Sequence, residues 1–199
     1  PAIDPLPAPS GPNESDLLTV YPIPDAHIGM RSWGEETGED YDTDIAVRRI
    51  KSGISECVTA SPASCEAVVI ALGDLLHAND NTNMTPASKH VLDVDRRHHK
   101  TLDAAIYAMA CAAELAAQKH EKVSVVIQGG NHDPTAYMAV MFALAERYKE
   151  NPRISVQKHP GEFFVYQFGQ CLIASQHGDK AKAERLVMHL ADQWPEMWG

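Results

Sequence analysis

At 199 residues with 44% hydrophobic side chains, the chain is sized for one domain whose core needs no disulfides. No apolar run approaches the roughly 20 residues of a bilayer-spanning helix and no basic start leads into an apolar stretch, so the chain reads as soluble and without a signal peptide. A formal net charge of -10 argues against nucleic-acid binding by general electrostatics alone, although cations bound in a carboxylate-lined cleft would alter that balance for a nuclease.

Residues 1–16 carry five prolines and few apolar anchors and read as an extended linker cut from a longer protein. From Leu17 onward short apolar runs alternate with helical stretches, the pattern of an α/β layered domain. LLTVYPI (17–23) is the first predicted strand, and residues 43–59 have helical period. AVVIAL (67–72) is a second strand, and residues 88–119, rich in alanine after Thr101, form the strongest predicted helix. VSVVIQ (123–128) is a third strand. Asp133 and Pro134 then read as an N-cap and first helical residue for TAYMAVMFALAERYKE, with Tyr137, Met138, Met141 and Phe142 as core. After Pro152, ISVQKH, EFFVYQF and CLIAS are expected as antiparallel or mixed strands, followed by a helix over 180–193. Cys57, Cys65, Cys111 and Cys171 lack CxxC spacing and suit reduced thiols in the cytoplasm.

Four polar clusters fall at or just beyond predicted strand ends, where open α/β sheets place their ligands. They are Asp25-Ala26-His27, Gly73-Asp74, Gly130-Asn131-His132-Asp133 and His177-Gly178-Asp179. Carboxylate, imidazole and amide oxygen form a mixed set that suits Mn, Fe or Zn better than Ca or Mg. Gly73, Gly129 and Gly130 allow tight strand-to-loop turns. A DxH or GD alone is a weak signal, whereas the ordered series is strong.

That series, DxH, GD, GNHD and a later His, resembles the calcineurin-like metallophosphoesterase family over about residues 17–179. The resemblance implies a four-layer αββα sandwich of mixed sheets, with residues 17–199 as the metallophosphoesterase domain. It assigns Asp25 and His27 to a first metal, Asp74 to a bridge between two, and Asn131 and His177 to a second. It gives His132 the task of stabilising the transition state or protonating the leaving oxygen, with Asp133 orienting it, although Asp133 also reads as a simple helix cap. The two divalent ions would be manganese first, with iron or zinc as alternatives. The family's GHxH motif does not occur before Gly199, and His189 sits in a helical context, so the sequence reads as truncated at its C-terminus and as a weak holder of metal by itself.

The implied activity is a phosphodiesterase, and IPDAHIG and GDLLH are similar to segments of the DNA repair exonuclease branch. A phosphomonoesterase, a small-nucleotide phosphodiesterase and a non-catalytic scaffold on the same fold are the alternatives. The partners expected are a phosphate ester, DNA included, and no membrane. His77 and the loop 78–83 are candidates for the substrate cleft, and Arg96, Arg97 and Lys100 for phosphate contacts, each with a solvated-surface reading beside it. His90, His120 and His159 read as surface or structural residues.

Overall fold

The computed structural model describes residues 7, 9, 11–159, 161–180 and 182–198. Half of the expected linker (1–6, 8 and 10) therefore lies outside the described residues, and its last three residues belong to a strand. The elements are β1 (Glu14–Ile23), α1 (Gly34–Thr37), α2 (Thr43–Ala60), β2 (Ser64–Leu72), α3 (His98–Ala117), β3 (Lys122–Gln128), α4 (Tyr137–Arg147), β4 (Ile154–Gln157), β5 (Phe164–Phe168), β6 (Cys171–Ser175), α5 (Ala183–Gln193) and α6 (Pro195–Trp198).

The fold is α/β. Strands β1-β2-β3-β4 form one all-parallel sheet in sequence order, and β5-β6 form a separate antiparallel pair. Each crossover advances in the same direction across the sheet, so a common hand of connection puts α2, α3 and α4 on one face. The burial agrees: Ala67, Val69 and Ala71 of β2 and Val123, Val125 and Ile127 of β3 join the helices in one core. The alternate residues Val68, Ile70 and Val126 pack against Phe164 on the other face, with Leu18, Val20 and Tyr166 around them. The near-continuous apolar run of β2 follows from burial on both faces, and the two-residue period of a strand sorts it between the two cores. The sandwich is thus present, with parallel and antiparallel pairing segregated between its sheets. ISVQ joins the parallel sheet beside β3 and does not belong to the antiparallel group.

Alanine dominates the contact face of α3, where Ala105, Ala108, Ala112, Ala113 and Ala116 are fully buried. The helix begins at His98, nearly three turns of the expected pattern having been claimed by a loop. Thr85 there accepts from the Lys89 and His90 backbone N–H groups, and isolated bridges pair Met84 with Val91 and Met30 with Val94. In α4 the buried residues are Tyr137, Val140, Met141 and Leu144. Phe142 falls outside that stripe and is 54% exposed, so its assignment to the core is corrected. Asp133 does not cap α4. Its side chain is used elsewhere, and Asn79 Oδ1 accepts from Thr135 N, Thr135 Oγ1 and Ala136 N at 2.9, 2.9 and 3.0 Å.

His120 is a fully buried structural residue. Its Nδ1 lies 2.8 Å from the Ser64 carbonyl and its Nε2 lies 2.7 Å from the Tyr21 hydroxyl. A neutral ring satisfies both contacts by donating from Nδ1 and accepting at Nε2. Burial lowers the folded-state pKa below its ordinary value of 6.5. The unfolded chain therefore binds more protons on acidification, so the stabilisation is complete above the ordinary value and is lost as pH falls below it. His120→Leu should cost about 1–3 kcal/mol, because it takes the ring donor from the buried Ser64 carbonyl and leaves the Tyr21 hydroxyl with Ser61 Oγ alone. Urea melts at two pH values check both parts: the wild type should weaken between pH 7.5 and 5.5, and the variant should lose less over that interval.

Candidate metal centre

Three parallel strands reach one edge together, because Ile23 pairs with Ala71 and Leu72 with Gln128. The loops that follow turn sharply. Asp25, His27 and Asp74 all have left-handed backbone, at φ 40°, 42° and 48°. Such conformations cost non-glycine residues about 1 kcal/mol or more each and persist only where the surroundings fix them. Here the two loops continue the parallel pairing past the sheet: His27 N–H donates to the Asp74 carbonyl at 2.9 Å, Ile28 N–H to Leu75 at 2.9 Å, and His77 N–H to Ile28 at 3.0 Å. A side chain at position 73, itself at φ 96°, would come within 2.3 Å of His177 Nδ1, and one at position 130 within 2.1 Å of Asp74 Oδ1. Glycine at both positions is a requirement of space.

Asp74 sits at the middle of the assembled residues and is 3% exposed. Its Oδ1 accepts from His132 N–H at 2.8 Å. Its Oδ2 faces His27 Nε2 at 3.8 Å on one side and His177 Nε2 at 3.4 Å on the other. Asp25, His27 and Asp74 place ligand atoms within 4.8 Å of one another. On the opposite side His177 Nε2 lies 3.1 Å from Asn131 Oδ1, while its Nδ1 is 3.0 Å from the Leu72 carbonyl. His177 donates from Nδ1 to Leu72, so its Nε2 faces two oxygens, Asn131 Oδ1 and Asp74 Oδ2. Nitrogen and oxygen atoms that converge in this way can serve as ligands to a cation, and anchoring the far ring nitrogen on a carbonyl is how ligand histidines are oriented. The five residues expected as ligands are thus brought together around Asp74, and Asp25, His27 and Asp74 form a group that could hold a metal ion.

His132 stands against this group, its ring centroid 4.6 Å from that of His27. Its orientation comes from the His77 carbonyl, which accepts from Nδ1 at 2.8 Å. Asp133 does not orient it. The Asp133 carboxylate is fully buried and accepts from Gly130 N–H at 2.8 Å and Leu76 N–H at 3.0 Å, stitching the loop after β3 to the loop after β2. Burial pushes the Asp133 carboxyl up to about 6 against those two hydrogen bonds.

His77 is 7% exposed, and its Nδ1 lies 3.2 Å from His27 Nδ1. It belongs to the cluster more closely than a cleft-lining loop residue would. Burial, then the neighbouring His27 and His132 rings, bring its pKa down to about 4. Burial and His132 also lower His27, with Asp74 and Asp25 opposing.

Gln128 was not legible as part of the site. Its amide accepts from Ser175 Oγ at 2.7 Å and donates to the Ser175 carbonyl at 3.2 Å, tying the end of β6 to the end of β3 and so delivering His177. Of the basic run, Arg96 is occupied by Asp44 and Asp95, whereas Arg97 and Lys100 are exposed at the start of α3. His189 is remote in character as well as sequence, packing its ring 4.8 Å from Phe163.

Gly130→Ala should lower divalent-ion affinity by about 10- to 100-fold, the range for disturbing the groups that orient ligands. Gly53→Ala, in open space on α2, should leave affinity unchanged. Titration with Mn²⁺ followed by calorimetry checks the pair. The chain matches no family model, no characterised protein and no solved structure with which it was compared.

Proposed function

We propose that this protein is a two-metal-dependent phosphoesterase acting on a phosphodiester, DNA among the candidate substrates. The observation that carries the reading is the Asp74 carboxylate, with Oδ2 set between His27 Nε2 at 3.8 Å and His177 Nε2 at 3.4 Å. Asp25, His27 and Asp74 would hold one ion, and Asp74, Asn131 and His177 a second, with manganese first and iron or zinc as alternatives. Three protein ligands per ion leave coordination positions free for substrate or water. When bound, such a pair polarises phosphoryl oxygens and lowers the pKa of water.

The chain's own contribution is placement and a proton. His132 donates from Nδ1 to the His77 carbonyl, so the nitrogen left for substrate is Nε2. A protonated ring can give its Nε2 proton to the leaving oxygen and return to the neutral form without breaking the Nδ1 bond. Asp133 holds the two loops that carry Asp74 and His132 in fixed relation. Arg97 and Lys100, free of the carboxylates that occupy Arg96, are the residues of the basic run suited to a phosphate backbone. Four unpaired cysteines suit a cytoplasmic setting. Among the described residues no helix is long and apolar enough to cross a membrane.

Asp74→Ala should abolish both Mn²⁺ binding and hydrolysis of bis-(p-nitrophenyl) phosphate. His132→Ala should keep Mn²⁺ content and slow turnover by about 10²- to 10⁴-fold, the range for general acid catalysis. Loss of Mn²⁺ from the His132 variant would remove it from the acid role. Faster cleavage of p-nitrophenyl phosphate than of the diester would move the substrate class to monoesters.

A further inference from the structure

Beside the carboxylate group, and sharing His27 with it, three imidazoles meet. One ring nitrogen of each of His27, His77 and His132 lies within 4.8 Å of one in the other two. The ring centroids are 4.6 Å apart for His27 and His132, 5.2 Å for His77 and His132, and 5.3 Å for His27 and His77. The Nδ1 atoms of His27 and His77 stand 3.2 Å apart. Two nitrogens at about 2.0–2.1 Å from one zinc ion, at tetrahedral vertices, are separated by about 3.3 Å, so a spacing that a hydrogen bond between the rings satisfies also suits a shared ion. His27 meets the two environments through different atoms, with Nε2 toward Asp74 at 3.8 Å and Nδ1 toward His77. His132, with Nδ1 donating to the His77 carbonyl, keeps its electron pair on Nε2.

We infer that His27, His77 and His132 form a further cation site, selective for imidazole-preferring ions, that shares His27 with the carboxylate group; a neutral His27 has one electron pair, on Nδ1 or on Nε2, so the ring serves one of the two at a time. Three neutral nitrogen donors and no carboxylate favour Zn²⁺, Cu²⁺ and Ni²⁺ over Mn²⁺ and Mg²⁺, which favour oxygen ligands. Occupancy takes the Nε2 electron pair of His132 and prevents that atom from carrying a proton. On the phosphoesterase reading, excess Zn²⁺ therefore inhibits, in competition with Mn²⁺ for the His27 ring. The binding itself does not rest on that reading, and the experiment separates the two.

The Asp25→Asn/Asp74→Asn double variant lacks the carboxylate centre and should still bind one Zn²⁺, and no Mn²⁺, by equilibrium dialysis. Adding His77→Gln should weaken that Zn²⁺ binding by at least tenfold, with folding of each variant checked by circular dichroism. Cu²⁺ bound to the double variant should give an electron paramagnetic resonance spectrum with couplings to three imidazole nitrogens. No Zn²⁺ binding by a folded double variant, Zn²⁺ binding indifferent to His77→Gln, or a Cu²⁺ signal with fewer than two imidazole nitrogens would each overturn the site. Zn²⁺ binding at this site without inhibition of phosphodiester hydrolysis would overturn only its inhibitory role.

Discussion

A carboxylate excluded from water is the constraint around which this structure is arranged. Asp74 is 3% exposed, and burying an ionised carboxylate costs several kcal/mol unless charge or hydrogen bonds replace the lost solvent. It receives one hydrogen bond, from His132 N–H at 2.8 Å. Its other oxygen looks at two imidazoles, at 3.8 and 3.4 Å. Asp133, equally buried, is satisfied differently, by two backbone N–H donors. Two adjacent buried acids thus have separate tasks: one is saturated by the protein and holds loops together, while the other keeps an oxygen directed at groups that are themselves electron-pair donors.

The topology explains why this can happen at a sheet edge that has no reversal of strand order. With order β1-β2-β3-β4 all the crossover helices lie on one face, so no crevice opens between helices from opposite faces. The cleft comes instead from β5 and β6, which cover the free face through Phe164 and Tyr166 and return the chain to the carboxyl ends of β2 and β3. Gln128 and Ser175 lock that return. His177 follows two residues later and anchors its ring on the Leu72 carbonyl. A polar pair buried between two sheets therefore sets the position of a residue that is distant in sequence from every other member of the site.

Much of this was legible because it is local. The β2 and β3 runs are apolar on both faces, and the GD and GNHD clusters follow them directly, so the strand ends and the side chains they carry are written in the same few residues. What escaped the sequence depends on contacts between segments. The helical pattern after Ser88 yields to a loop in which Thr85 takes the backbone bonds of Lys89 and His90, and nothing local marks the helix start at His98. Asp133 before Pro134 has the form of a cap, yet its oxygens serve Gly130 and Leu76, and the helix is capped by Asn79 from another loop. His77, spaced three residues from Asp74, is a plausible loop residue on any sequence criterion. Only the pairing of the loops after β1 and β2 turns it inward against His27.

The same pairing accounts for the backbone strain at the site. Left-handed conformations at Asp25, His27 and Asp74 are disfavoured by their Cβ atoms, and isolated loops would relax out of them. Three inter-loop hydrogen bonds, from His27, Ile28 and His77, hold the loops past the end of the sheet, and the buried Asp133 carboxylate adds a fourth tie through Leu76. Because each of these bonds involves backbone at one or both ends, the geometry does not depend on flexible side chains meeting by chance. Strain in the loop backbone, repaid by such bonds, keeps the ligating atoms of Asp25, His27 and Asp74 within 4.8 Å of one another, and fixed polar groups of this kind are the condition for electrostatic preorganisation.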